Sequence, residues 1–252
     1  MNERGQRNEN YFNADDFGIS PGAVYGILES YKRGVVKSTT LLANSPAFDL
    51  AVEVAKENPG LDIGAHLTLT FGSPVLQGLE TLTDDDGRFR RNYTSLENGL
   101  ADVDMNEVER ELTAQIEKIL DAGITISHFD THHSIEPLIY PVQHKLAEKY
   151  GVSIRRHSDV SDFGAIKTPD LFATEFYADG VSFETIKKLV QKHIGTNDVV
   201  EVMTHPAFID ETLREISSYV EPRIKEVSIL TSRELQAYLG QQEVEIISFR
   251  DL

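Results

Sequence analysis

The sequence of 252 residues contains no cysteine, which excludes both a disulfide framework and a thiolate metal site. Any metal ion that this chain binds must therefore be held by His, Asp or Glu. Tryptophan is absent as well, so an aromatic surface for a ligand has to come from the nine tyrosines and twelve phenylalanines.

Basic residues and long apolar runs are also scarce. The chain has 24 basic and 41 acidic residues, a formal charge of -17, and a surface this negative repels phosphate backbones and anionic lipids. No run reaches the roughly 18 apolar residues of a membrane span, and the N-terminal MNERGQRNEN does not resemble a signal peptide. We expect a soluble, cytoplasmic protein with no nucleic acid or membrane partner. The oligomeric state stays open, with a homodimer as one alternative.

Short strand-like apolar patterns alternate with amphipathic helical patterns along the chain. In the first helix, for example, Ser20 and Pro21 predict the start and Gly34 predicts the end. About seven or eight such βα units without a linker favour one domain over residues 1–252, folded as an α/β protein with a (β/α) barrel that is regular or distorted. A doubly wound open sheet is the alternative.

Unusual polar residues cluster where the predicted strands end. They are Asp15 and Asp16 after the first strand, His66 near the end of the third, His128, Asp130, His132 and His133 along the fourth, Arg155 on the fifth and His205 after the seventh. Because the carboxyl ends of barrel strands converge on one rim, we expect these side chains to meet there.

The pair in NADDFG has two interpretations. Neighbouring side chains of an extended strand point to opposite sides, so Asp15 and Asp16 should have different roles, one binding a metal and the other facing its bound water. The alternative is an Asx-turn or a helix N-cap.

The segment SHFDTHHS holds four ionisable side chains in six residues. His128, Asp130 and His132 share one strand face, where Asp130 is placed to orient an imidazole. The side chains of His132 and His133 point to opposite sides of the strand, so only one of them should be a ligand. The alternative is a polar strand end with satisfied histidines.

Three further residues each have two interpretations. His66 is either a ligand or a core histidine, and His205, before Pro206, is either a general acid or substrate contact, or a capped strand end. Arg155 is either a substrate ligand or a surface charge. Two imidazoles and one carboxylate would leave coordination positions open, as catalytic metal sites do, and a free carboxylate beside them would complete a hydrolytic centre.

Four segments together carry a family resemblance. They are NADDFGIS, GAHLTLTFGSPV, ELTAQIEKIL followed by SHFDTHH, and EVMTHPAF followed by SSYVEPR. In this order, from about Asn13 to Asp251, they resemble the YdjC-like family of carbohydrate deacetylases, in particular its chitooligosaccharide deacetylases. The resemblance implies a barrel of the glycoside hydrolase and deacetylase type and a divalent ion, usually recorded as magnesium. It also implies removal of acetyl groups from N-acetylglucosamine units of short chitin oligosaccharides such as diacetylchitobiose.

The resemblance also implies roles for single residues. Asp16, His66 and His132 match the metal-ligand positions, and Asp15 matches the general base. His205 lies in the late His-Pro motif and is the candidate for the second catalytic group. His128, Asp130 and Arg155 would support the ligands or contact the substrate. The ligand set itself suits zinc or cobalt better than magnesium, which prefers oxygen.

The sequence departs from the family where the histidine run commonly continues as HHHVH. Here Ser134, Ile135 and Glu136 follow His132 and His133, which leaves another N-acetylated sugar, or an idle sugar-binding barrel, as alternatives. A glycosidase with two carboxylates and no metal is disfavoured by the histidines. Two irregular regions, Thr70 to Met105 and Ser158 to Thr168, are expected to wall the rim and limit the enzyme to short sugars.

Overall fold

The computed structural model describes residues 8–93, 98–133, 136–157 and 162–252, leaving aside the side chains of residues 8 and 136–138. The strands are β1 (Asn8–Phe17), β2 (Val36–Leu41), β3 (Asp62–Leu67), β4 (His128–Thr131), β5 (Ser153–Ile154), β6 (Leu171–Ala173), β7 (Val200–Thr204) and β8 (Val244–Ile246). The helices are α1 (Pro21–Arg33), α2 (Phe48–Glu57), α3 (Met105–Asp121), α4 (Glu136–Tyr150), α5 (Phe183–His193), α6 (Glu211–Ile216), α7 (Glu221–Leu230) and α8 (Arg233–Gln241). None of these helices is both long enough and apolar enough to cross a bilayer.

The strands form one parallel sheet with the helices around it. Its order is β5-β4-β3-β2-β1-β7-β6, and β8 pairs with the first three residues of β1. Within the described ranges no ladder joins β5 to β6, so the barrel is open on that side. The predicted (β/α) barrel is therefore confirmed in a distorted, half-barrel form.

Local sequence sets the start of the first helix as expected. The Ser20 hydroxyl accepts a hydrogen bond from the N–H of Ala23 at 3.1 Å, and Pro21 occupies the first turn, where its missing N–H costs nothing. Val24 and Ile27 face inward and are fully buried. The helix thus begins soon after the carboxyl end of β1, at Pro21.

The long segment between β3 and α3 is attached to one face of α3. Glu107, Glu111 and Gln115 are spaced four apart, so they lie above one another on the helix. Each glutamate accepts two backbone N–H groups of the segment at distances between 2.8 and 3.0 Å, and Gln115 bonds the N–H and C=O of Thr68 at 3.0 and 2.8 Å. The chain from Thr68 to Thr81 is therefore anchored to α3.

Candidate metal centre

A bulge at the end of β1 aims the paired aspartates. The register with β2 shifts between Ala14 and Phe17, and Asp16 has a φ of 71°, a left-handed conformation that aspartate tolerates better than most residues. Both carboxylates are 2 % exposed. They engage different partners, as expected, but the bulge rather than simple strand alternation sends them there.

Asp16, His66 and His132 converge from three strands. Asp16 Oδ1 lies 2.8 Å from His132 Nδ1 and 3.3 Å from His66 Nε2, and one ligand atom from each of the three buried residues lies within 4.8 Å of the others. Two imidazole nitrogens and a carboxylate oxygen suit a divalent transition metal. The residues present therefore fit the ion that the sequence predicts.

A second group, Asp15, His66 and Asp130, also lies within the same distance. A metal between these residues would compete with Arg155, whose guanidinium contacts Asp15 Oδ1 at 2.7 Å and Asp130 Oδ2 at 3.0 Å. The group around Asp16 is the better metal site.

Asp130 lies against the ring of His66. The two residues pair in the register of β3 and β4, and Asp130 Oδ1 lies 2.7 Å from His66 Nδ1, while Asp130 Oδ2 accepts the Thr40 hydroxyl at 2.9 Å. A proton on Nδ1 leaves the Nε2 lone pair facing Asp16. Burial alone would lower the pKa of His66, but Asp130 and Asp16 raise it to about 10, so this position favours a cation, either a proton or a metal.

Arg155 is buried and contacts several carboxylates, so it is not a surface charge. Its Nη1 and Nη2 donate to Asp15 at 2.8 and 2.7 Å, and Nη2 also lies 2.7 Å from Glu201 Oε1. Such a two-pronged pair fixes both oxygens of the carboxylate. Burial alone would raise the pKa of Asp15, but Arg155 outweighs it and the pKa of Asp15 falls to about 2. Asp15 therefore stays ionised.

His205 lies across from the metal group, beside Asp15. Its Nε2 is 3.8 Å from Asp15 Oδ2, and its backbone N–H donates to Glu226 Oε2 at 2.5 Å. Burial lowers the pKa of His205 to about 4, so its ring is neutral at neutral pH. His205 and Asp15 are close enough to act on one small chemical group.

Arg223 on α7 holds the other oxygen of Asp16. Its Nη2 donates to Asp16 Oδ2 at 2.6 Å, which leaves Oδ1 to face the two histidines. Burial alone would raise the pKa of Asp16, but His132 and Arg223 hold it well below its usual range. The carboxylate is thus ionised and fixed in orientation before any ligand arrives.

The other two histidines of the segment that begins with β4 are not in the ligand group. The His128 ring stacks on Phe249 with centroids 3.5 Å apart, and a Cβ on Gly64 would come within 2.4 Å of it, so these are the contacts of a core residue. These contacts do not support the assignment of His128 to ligand support or substrate contact, which stays a prediction. His133 is exposed and its Nδ1 lies 2.9 Å from the Thr70 hydroxyl.

Comparison with known proteins agrees with this geometry. A model of the family described as YdjC-like protein matches residues 11–241. The chain belongs to the YdjC-like family. It is 99 % identical over 241 residues to a carbohydrate deacetylase of Listeria monocytogenes serotype 4a (strain HCC23), covering 96 % of this chain and 98 % of that protein. A carbohydrate deacetylase of Brevibacillus brevis is 40 % identical over 247 residues, covering 95 % and 98 %.

Solved structures of other proteins show the same fold. A protein of Enterococcus faecalis V583, named as a candidate cellobiose-phosphate cleavage protein, superposes with a TM-score of 0.89 at 35 % identity, covering 97 % of this chain and 98 % of that one. A peptidoglycan N-acetylglucosamine deacetylase superposes with a TM-score of 0.52 at 15 % identity, covering 96 % and 86 %. The second likeness concerns the fold alone.

Sequence reasoning missed several residues of this YdjC-like site. Arg223 lies in the SSYVEPR segment that carries part of the resemblance, so a signal was present, although no role was assigned to it. Glu201 was visible as a lone charge in an apolar strand, and burial raises its pKa to about 7. Glu226 gave no signal, because an acid on a helix is ordinary. Ser134 and the side chain of Glu136, which stand where the family commonly has histidine, lie outside the described residues.

Proposed function

We propose that this chain is a metal-dependent hydrolase that removes acetyl groups from N-acetylglucosamine units of short chitooligosaccharides such as diacetylchitobiose. The observation that carries the proposal is the convergence of Asp16, His66 and His132 beside the ionised Asp15, with His205 opposite. The names of the Listeria and Brevibacillus relatives support carbohydrate deacetylation. One sheet carries all these residues, so we treat residues 1–252 as one deacetylase domain.

Asp16, His66 and His132 would hold the ion. When bound, a divalent metal there polarises the acetamide carbonyl and lowers the pKa of water. The family resemblance implies magnesium, whereas two imidazole ligands favour zinc or cobalt. Asp130 and Arg223 keep the ligand atoms of His66 and Asp16 pointed at this position.

The two catalytic side chains divide the proton transfers. Asp15 accepts a proton from water as the water oxygen attacks the acetyl carbon, and Arg155 holds Asp15 in place. The neutral ring of His205, whose Nε2 lies 3.8 Å from Asp15 Oδ2, receives this proton from Asp15. His205 passes it to the leaving amine as the bond between the acetyl carbon and nitrogen breaks. Acetate and an amino sugar are the products.

The segment after β3 would limit the length of sugar. Thr70 bonds the ring of His133 at 2.9 Å, so the segment adjoins the residue that follows ligand His132, and α3 holds it there. This contact supports a wall on this side of the rim, which would favour a short substrate over a polymer. The facing wall that we predict at Ser158 to Thr168 falls partly outside the described residues, since residues 158–161 are not among them.

A phosphorylated disaccharide is a second candidate substrate. A cleft of about 790 Å³ is lined by Arg88, Arg90 and Arg91 together with Thr70, and also by the carboxylates Asp84 and Asp86. Three arginines beside the rim of a protein with a charge of -17 favour an anionic group on the substrate. The name of the Enterococcus protein, which refers to cellobiose-phosphate, agrees with this candidate.

Initial rates of acetate release from four sugars test the proposal. The set is diacetylchitobiose, the trimer, a phosphorylated form of the dimer and soluble polymeric chitin. We expect fast release from the short sugars and little from the polymer, because the wall excludes long chains. A polymer rate equal to the dimer rate per acetyl group would contradict the walled pocket. Arg91→Gln should slow the phosphorylated dimer alone, whereas Arg33→Gln, on the exposed face of α1, should slow none.

A further inference from the structure

Two stacked tyrosines stand beside the catalytic residues. Tyr177 lies in the turn after β6 and Tyr219 between α6 and α7, with ring centroids 4.3 Å apart and planes 14° from parallel. Each ring also makes an edge contact with His205, at 5.5 and 5.6 Å. The pair therefore borders the side of the site where His205 faces Asp15.

Tyr219 is fixed by polar contacts to the site. Its hydroxyl donates to Glu226 Oε1 at 2.6 Å, and Glu226 also accepts the backbone N–H of His205. The backbone carbonyl of Tyr219 accepts a hydrogen bond from Arg223 Nε at 2.7 Å, and the same arginine donates to Asp16. The ring behind Tyr177 thus belongs to the same hydrogen-bonded framework as the catalytic residues.

The turn that carries Tyr177 is strained. Ala178 has a φ of 51°, a left-handed conformation that is unfavourable for alanine, and its N–H donates to the Tyr219 hydroxyl at 3.2 Å. A Cβ on Gly180 would lie 2.0 Å from the carbonyl oxygen of Glu175, so only glycine fits there. The fold retains a costly turn that places Tyr177 over Tyr219.

Tyr177 nevertheless remains 42 % exposed, although Tyr219 covers one of its faces. A pyranose ring has a face of C–H groups that packs on an aromatic ring, and this chain has no tryptophan to offer. We propose that Tyr177, backed by Tyr219, is the platform on which a pyranose ring of the substrate stacks, on the His205 side of the metal group. This inference rests on the proposed function and names a residue that determines its sugar binding.

The test compares Tyr177→Ala with Tyr177→Phe and with Tyr25→Ala. Tyr25 is 48 % exposed on α1 and serves as the matched control. Tyr177→Ala should raise the KM for diacetylchitobiose about tenfold and change kcat by less than about threefold, since the platform binds the sugar and takes no part in proton transfer. Tyr177→Phe keeps the ring and should keep the KM, and Tyr25→Ala should behave as wild type. Melting temperature and metal content should be the same in all four proteins.

Calorimetric binding of diacetylchitobiose in an Asp15→Asn background separates this inference from the proposed reaction. If the wild type releases no acetate but Tyr177→Ala still weakens binding about tenfold, the proposed reaction is wrong and the platform stands. If acetate is released while Tyr177→Ala leaves both KM and Kd unchanged, the platform is wrong. A protein that binds no sugar at all overturns both.

Discussion

His132→Ala is expected to abolish both metal retention and acetate release, whereas His133→Ala keeps most of both. His132 Nδ1 lies 2.8 Å from Asp16 Oδ1 in the buried ligand group, so its removal leaves the ion with one imidazole and one carboxylate. His133 is exposed and bonds Thr70, so its loss takes no ligand away. His66→Ala should match His132→Ala. Elemental analysis of the purified variants, beside acetate release, measures both effects.

A control variant at position 133 separates the loss of the imidazole from backbone strain. His133 has a φ of 66°, a conformation that alanine adopts at a cost but asparagine tolerates. His133→Asn therefore removes the imidazole with less strain and should hold metal as well as the wild type does. Equal metal loss in the His132 and His133 variants would show that the assignment of His132 as the ligand is wrong.

Asp15→Asn should leave the metal bound while kcat falls by roughly 10²–10⁴, the usual size of a general-base contribution. Asp15 is paired with Arg155 and lies 3.8 Å from His205, and the better metal group does not include it. An amide of nearly the same shape cannot take the water proton. Steady-state rates together with metal content measure this outcome.

Asp16→Asn is the paired variant and should weaken metal binding instead. Asp16 Oδ1 faces both histidines and Oδ2 receives Arg223, so the amide would replace an anionic ligand with a neutral one. If Asp15→Asn lost the metal and Asp16→Asn kept it, the roles of the two aspartates would have to be exchanged.

Much of the fold could be predicted because its information is periodic. The alternation in the segment around His66 and the spacing of Val24 and Ile27 in α1 place these residues without any tertiary knowledge. The opening of the barrel could not be predicted in this way. Strands β5 and β6 have only 2 and 3 residues, and whether such short edges meet depends on the chain between them.

The site shows the same division. Strand ends converge on one rim, so the two aspartates, His66 and the histidine pair could be placed near one another from their order. The choice of Asp16 and His132 within those pairs rests on the family resemblance. His128 shares its strand face with Asp130, yet it lies two residues further from the rim, and that depth follows from the packing of Gly64 and Phe249.

Residues that reach the site from helices and turns lack a local signal of this kind. Arg223 stands 207 positions after Asp16, on helix α7. Tyr177 is placed by the strained turn at Ala178 and by the ring of Tyr219. Only tertiary structure shows that these side chains meet.

The central claim is that a metal held by Asp16, His66 and His132 is needed to hydrolyse an acetamide. The direct test strips the purified protein of metal with a chelator and follows acetate release from diacetylchitobiose as zinc, cobalt or magnesium is returned. We expect no release from the stripped protein, and recovery with zinc or cobalt at least as complete as with magnesium. Full recovery with magnesium and none with zinc or cobalt would refute the argument from ligand chemistry. Undiminished release from the stripped protein would contradict the account as a whole.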